Sequence, residues 1–203
     1  MRITAKFGGS SLADAGQFQK VKAIVEANPS RQCIVVSAPG RRYRGDEKIT
    51  DLLYQCQALA ASGAPFEQPF RRIANRFRRI AASLSLSVDI ESELSAIYRI
   101  LEDGASPDYA ASRGEYLNAL LMADYLGFRF VDATELVCFH DDGAYDDETT
   151  QLWSRVLETR ARVVIPGFYG RRRDGAVRTF SRGGSDITGA IVARASQSDL
   201  YEN

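Results

Sequence analysis

Short apolar strands alternating with amphipathic helices predict an α/β fold, a three-layer αβα sandwich built on a mostly parallel central sheet. Three observations carry this reading. Residues 32–38 (Gln-Cys-Ile-Val-Val-Ser-Ala) form the continuous apolar run expected of a parallel strand covered on both faces. A helical spacing of Phe18, Val21, Ile24 and Val25, closed by Asn28-Pro29, joins that run to an earlier strand at 2–7 and completes a βαβ unit. The same alternation resumes after residue 112 and continues to the end of the chain.

Taken in order, Pro39-Gly40 opens a charged loop at 41–48, and a helix is expected from near Thr50 to just before Gly63. Phe70, Ile73, Phe77, Ile80 and Leu84 keep a heptad pattern that Ile90, Leu94, Ile97 and Leu101 continue, which predicts an antiparallel helical hairpin inserted at about 66–103. Its first arm carries Arg71, Arg72, Arg76, Arg78 and Arg79, and its second carries Asp89, Glu91, Glu93 and Glu102. The arms can pair these charges across their edges. Solvated charge opposite an apolar seam is the plain reading of this arm, and a partner-binding or nucleic-acid face is the alternative. A further helix is expected from Ser112, with Leu117, Leu120, Leu121 and Tyr125 on one side and Gly127 at its end. Strands follow at 128–132, 136–140 and 162–166, then an Asp174-Gly175 hairpin turn before 177–180, a helix at 186–195 and a strand beginning at 199–201.

Composition narrows the class. The 203 residues are 45% hydrophobic and 26% charged, enough for one substantial core. With 26 basic and 26 acidic residues the net charge is zero, so no global field holds nucleic acid or an anionic membrane. No apolar run approaches the length of a membrane span and the first residues run directly into a strand, so a cytoplasmic protein is expected. Cys33, Cys56 and Cys138 are widely spaced in apolar stretches and read as reduced, buried thiols rather than disulfides or a metal cage. The one histidine, His140, lies beside the acidic run 141–148, which lacks the ligand order of a calcium loop and reads as a polar turn.

Two glycine doublets bracket the chain: Lys6-Phe7-Gly8-Gly9-Ser10-Ser11 and Arg182-Gly183-Gly184-Ser185-Asp186. Each follows a strand or loop and is expected to open a helix, where backbone N–H groups and the helix dipole attract an anion. Neither common phosphate-loop signature, G-x-x-x-x-G-K-[ST] or G-x-G-x-x-G, is present. Lys6, one of only four lysines among 26 basic residues, sits where a strand empties into the first doublet and suits bridging phosphate oxygens. An edge-strand lysine facing water is the competing reading. Arg182 offers a fork for a carboxylate and Asp186 a carboxylate for a metal, although Ser185-Asp186 also fits a helix cap. Ser112-Arg113-Gly114-Glu115 likewise spells a capping box, and Thr50 could cap the helix that follows it.

These two segments, together with Val36-Ser37-Ala38-Pro39-Gly40, Lys48-Ile49-Thr50-Asp51-Leu52-Leu53, Ser112-Arg113-Gly114-Glu115 and Pro166-Gly167-Phe168, resemble, in order, the sequence blocks of aspartate kinases in the amino acid kinase superfamily. The resemblance runs along the whole chain. It implies the amino acid kinase (carbamate kinase-like) fold and transfer of the γ-phosphoryl of ATP to the side-chain carboxylate of L-aspartate. On this resemblance Lys6 neutralises the transferring phosphoryl, and Gly8, Gly9, Ser10, Gly183 and Gly184 bring backbone to it. Arg182 pairs with the α-carboxylate of aspartate and Glu115 with its α-amino group. Ser37, Thr50, Ser185 and the Phe168 backbone supply the remaining contacts, and Asp186 holds Mg2+ and the phosphates. The implied partners are L-aspartate and ATP, with no nucleic acid and no membrane; homo-oligomerisation stays open, and the alternative readings are a related amino acid kinase with another acceptor or a non-catalytic fragment that keeps the fold.

Aspartate kinases continue past the Leu200-Tyr201-Glu202-Asn203 block into a Trp-Thr-Asp loop around the nucleoside and a further lysine, and many carry regulatory domains. Against that pattern the 203 residues correspond to roughly the first two-thirds of a catalytic domain, judged by usual domain sizes. The 203-residue chain by itself is therefore expected to show little or no aspartate-dependent turnover in a coupled ADP-release assay, and ordinary turnover would contradict this expectation.

Overall fold

Five parallel strands form the central sheet, in the order β3-β5-β2-β1-β8: β1 (Ile3–Phe7), β2 (Arg31–Val36), β3 (Arg129–Phe130), β5 (Val163–Pro166) and β8 (Leu200–Glu202). A second, three-stranded sheet contains β4 (Cys138–Phe139), β6 (Tyr169–Arg172) and β7 (Val177–Thr179) in the order β4-β6-β7. This computed structural model describes residues 1–158, 161–181 and 183–203, without the side chain of Glu158.

The apolar run in β2 explains the layering. Ile34 and Val36 point into a large core with Leu12, Phe18, Leu53, Phe77, Leu117 and Val164. Cys33 and Val35 point the other way, into a smaller core with Val137, Leu157, Ile165, Tyr169 and Val192. Period-two alternation thus gives each neighbour along β2 a different layer, and both faces are dry. On the large-core side lie α1 (Ala15–Glu26), α2 (Ile49–Ala61), α3 (Glu67–Ser83), α4 (Ile90–Glu102) and α5 (Pro107–Leu126); α7 (Gly184–Ala195) packs against β1 and β2 from the other side. The predicted mostly parallel sheet covered by helices on both faces is what the chain forms.

The hairpin reading holds for α3 and α4. Phe66 and Phe70 meet Tyr98 at one end and Arg78 pairs with Glu91 at the other, so the two helices run antiparallel. Their apolar stripe does not merely close on itself, because the same residues belong to the large core with α1 and α2. Arg76 departs from the solvated-charge reading: it is buried against Asp46, in the loop before α2.

One expected helix start is displaced, and one helix lies where only a turn was expected. α5 begins at Pro107, with Ser106 Oγ accepting the Tyr109 N–H at 3.1 Å, so Ser112 is an interior residue and Glu115 is no capping-box partner. Ser106-Pro107 is the stronger start, since it combines a capping hydroxyl with the residue best tolerated at the first helical position. The acidic run is likewise only partly a turn. Asp146 caps α6 (Asp147–Trp153), its carboxylate accepting the Thr149 N–H at 2.9 Å, and exposed His140 lies 3.5 Å from the same carboxylate. Cys33, Cys56 and Cys138 are all free and buried, and burial pushes the Cys56 thiol up to about 12. Among the described residues no helix is long and apolar enough to cross a membrane.

Replacing the true cap should be measurable: Ser106→Ala is expected to lower the unfolding free energy by about 1 kcal/mol in urea titrations. An unchanged midpoint would argue that α5 begins elsewhere.

Candidate active site

Register brings three loops to one line. Phe7 pairs with Val36 and Val36 with Pro166, so β1, β2 and β5 end side by side. The ladder continues one step further, with Ser37 N–H donating to the Phe7 carbonyl at 3.1 Å and Gly167 N–H to the Val36 carbonyl at 2.9 Å. Loops leaving the carboxyl ends of parallel strands are where open α/β sheets bind ligands.

The first glycine doublet follows β1. It opens only a single 3-10 turn, Gly9–Leu12, and α1 starts separately under the Asp14 cap, so the long-helix dipole expected there is absent. The glycines serve close approach instead. Gly40 N–H donates to the Gly9 carbonyl at 2.8 Å; a Cβ on Gly9 would stand 2.8 Å from the Ala38 carbonyl oxygen, and one on Gly40 2.6 Å from the Gly9 carbonyl carbon. No side chain fits between these backbones.

The second doublet does open a long helix. Gly183, at φ 61°, is the N-cap of α7, in a left-handed conformation that favours glycine. Ser185 is therefore not the cap. Asp186 lies in the first turn, where the helix dipole favours a carboxylate. Lys6 Nζ reaches Asp186 Oδ1 at 2.6 Å and donates to Asn203 Oδ1 at 3.3 Å. Its side chain is only 11% exposed and its strand is flanked by β2 and β8, which rules out the edge-strand reading.

Gly167 and Phe168 connect β5 to β6 and pack against the start of α7. A Cβ on Gly167 would meet Ser185 Cβ at 2.7 Å, and one on Gly184 would meet Phe168 and Phe180 at 2.8 Å. Phe168 takes φ 80°, a conformation that costs a bulky residue about 1–3 kcal/mol. Thr188 Oγ1 accepts its N–H at 3.1 Å and its carbonyl accepts the Phe180 N–H at 2.9 Å, which holds it there. Both backbone groups of Phe168 are thus engaged, leaving the carbonyl's second lone pair for a ligand.

Glu115 comes from the interior of α5. Gly114 lets the helix approach the loop after β2, since a Cβ there would lie 2.9 Å from Ala38 Cβ and 3.3 Å from Ile49 Cγ2. Glu115 is buried and leaves Oε2 without a partner among the described residues. Burial pushes its carboxyl up to about 8, against the smaller opposing effects of the Ala38 amide and the Arg113 charge. Such a group is held short of the cation that would make ionisation comfortable.

Ser37 and Thr50 are half-buried, Ser10 is exposed, and Thr50 is the second residue of α2 rather than its cap. Arg182 lies outside the described residues. Sequence reasoning overlooked Asn118, one turn beyond Glu115, whose Nδ2 donates to the Ser37 carbonyl at 2.7 Å while its buried Oδ1 has no partner among the described residues. A polar amide inside the apolar stretch Leu117-Asn118-Ala119 was the available signal.

The model of the amino acid kinase family matches residues 1–203, and the chain belongs to that family. It is 47% identical to aspartate kinase from Clostridium acetobutylicum, with a TM-score of 0.96 over 99% of this chain and 47% of that one. Aspartokinase 3 of Bacillus subtilis is 40% identical over 98% of this chain and 47% of its own length. E. coli aspartokinase III, solved in complex with aspartate and ADP, superimposes with a TM-score of 0.82 at 26% identity, covering 99% of this chain and 48% of that one. The chain thus spans about half the length of these relatives.

Glu115 gives the stability a definite pH dependence. Its folded pKa lies above its ordinary value of 4.5, so between about pH 4.5 and 8 the native state holds a proton that the unfolded chain has lost. Its contribution is complete below that window and declines as pH rises through it. Thermal melts of Glu115→Gln are expected to lack this decline relative to the parent; parallel curves from pH 4.5 to 8 would refute the assignment.

Proposed function

We propose that this chain carries the aspartate and phosphoryl sites of an aspartate kinase, a phosphotransferase that moves the γ-phosphoryl of ATP to the side-chain carboxylate of L-aspartate. The observation that carries the proposal is the buried carboxylate oxygen of Glu115 without a partner among the described residues, set behind the loop after β2. An α-ammonium fits that need, because an ion pair there restores the charged form that burial disfavours. The aspartate relatives and the ligands bound to E. coli aspartokinase III support the same reading.

In this reading the acceptor carboxylate, ionised at neutral pH, attacks the γ-phosphorus. A new phosphorus–oxygen bond forms, the bond to the β,γ-bridging oxygen breaks, and ADP leaves with that electron pair. No general base is required, so the residues act by positioning and by stabilising charge. Lys6 turns from Asp186 to the phosphoryl oxygens, and the backbones of Gly8, Gly9, Ser10, Gly183 and Gly184 approach without side chains in the way. Arg182 takes the α-carboxylate, while Ser37, Thr50, Ser185 and the Phe168 carbonyl frame the rest of the amino acid.

Among the described residues no three His, Cys, Asp or Glu side chains cluster for a metal, but Asp186 is half exposed beside Lys6. That suits Mg2+, which uses one or two carboxylates together with substrate phosphates and neutralises their charge when bound. The three free, buried cysteines fit a cytoplasmic setting.

Kinetics of the protein as encoded by its gene test this. Glu115→Gln is expected to raise the KM for aspartate about 30-fold or more, the cost of removing one partner of a buried charge pair. Lys6→Met should lower kcat by about 10²–10³, as for loss of a preorganised charge-stabilising group. If Glu115→Gln left the aspartate dependence unchanged, the amino-group assignment would be wrong.

A further inference from the structure

Arg76 lies in α3, outside every block that resembles a kinase motif, yet it is only 6% exposed. Its Nη1 donates to the Ala13 carbonyl at 3.2 Å and to the Gly40 carbonyl at 3.1 Å, and its Nη2 donates to Asp46 Oδ2 at 2.7 Å. Asp46 is held in turn by Arg42, whose Nε and Nη2 each donate to it at 2.8 Å and whose backbone N–H donates at 2.9 Å. The loop from Gly40 to Asp46 is therefore closed on itself and tied to Arg76.

Both carbonyls have a particular place in the fold. Ala13 follows the 3-10 turn that begins at Gly9, and Gly40 is the residue whose N–H holds the Gly9 carbonyl. We propose that Arg76 is a positioning residue for the first glycine doublet, fixing from behind the backbone that meets the phosphates. Three bonds from two nitrogens fit the fork of a guanidinium; a lysine offers its donors from a single atom and cannot reach all three acceptors in the same way. The amino-acid side of the site has separate supports, because the Ser37 N–H donates to the Phe7 carbonyl and the Ser37 carbonyl accepts from Asn118. Loss of the fork should thus act on the nucleotide and spare aspartate.

The inference rests on the aspartate kinase reading, and its test separates the two. Steady-state kinetics of the gene-encoded protein and its Arg76→Lys and Arg76→Met variants would vary MgATP and aspartate independently. Displacement of a positioned group by about 1 Å costs up to about 10²-fold, so kcat/KM for MgATP should fall about tenfold or more while KM for aspartate stays within about twofold. Amide hydrogen exchange at Ser11 and Gly40, whose N–H groups bond the Gly8 and Gly9 carbonyls, should accelerate in both variants. Arg76→Lys retains the charge, and Asp46 keeps its bonds to Arg42, so folding survives in at least that variant.

Unchanged MgATP dependence in a folded Arg76→Lys would overturn the inference, as would equal effects on both substrates that follow a drop in Tm. A parent protein without aspartate-dependent turnover would reject the kinase reading alone. In that case hydrogen exchange decides, and unchanged exchange at Ser11 and Gly40 in Arg76→Lys overturns the positioning role.

Discussion

Phe7, Val36 and Pro166 stand abreast because β1, β2 and β5 are parallel and in register, and everything placed at the site depends on that pairing. An antiparallel neighbour would send one loop to the far end of the sheet. A one-residue slip would turn Ile34 and Val36 toward the smaller core and Cys33 and Val35 toward the larger one, so burial on both faces locks the register. The glycines then act within that frame. Gly9, Gly40, Gly167 and Gly184 each sit where a Cβ would strike a neighbouring segment, and their absence of side chain sets how closely the loops converge.

Two carboxylates at the site are managed in opposite ways. Asp186 is half exposed, lies in the first turn of a helix and has Lys6 at 2.6 Å, so its charge is supported from two sides. Glu115 is buried with one oxygen unpartnered among the described residues, so its charge waits for a cation from outside. Desolvation strengthens whatever electrostatic contact a ligand brings to Glu115, whereas solvent reduces the worth of the Lys6–Asp186 pair and leaves it easy to exchange. The former suits selection of an amino group; the latter suits a lysine that must change partner.

The chain's local chemistry made much of this legible. Apolar runs and helical periods place the central strands, α1, the α3 and α4 pair and α7, because each of these buries a face whose spacing survives in one dimension. The same local logic misled where two segments compete. Ser112-Arg113-Gly114-Glu115 satisfies the pattern of a capping box, but Ser106-Pro107 begins the helix earlier and turns those residues into its interior. The first doublet resembles a helix mouth, yet its chain makes one 3-10 turn before Asp14 starts the helix afresh. Arg76 gave no signal at all, since one arginine in an arginine-rich arm looks like its solvated neighbours until the loop carrying Asp46 folds over it.

By itself, the sequence determined the α/β class, the order of the motif blocks and the residue types available for phosphate and amino-acid contacts. These depend on periodicity and on side-chain chemistry that each residue carries alone. Only the tertiary structure decided that Lys6 meets Asp186, that Glu115 is left with an open oxygen and that Arg76 reaches Gly40. Each of those depends on desolvation and on approach between segments far apart in the chain, quantities that exist only once the layers have packed.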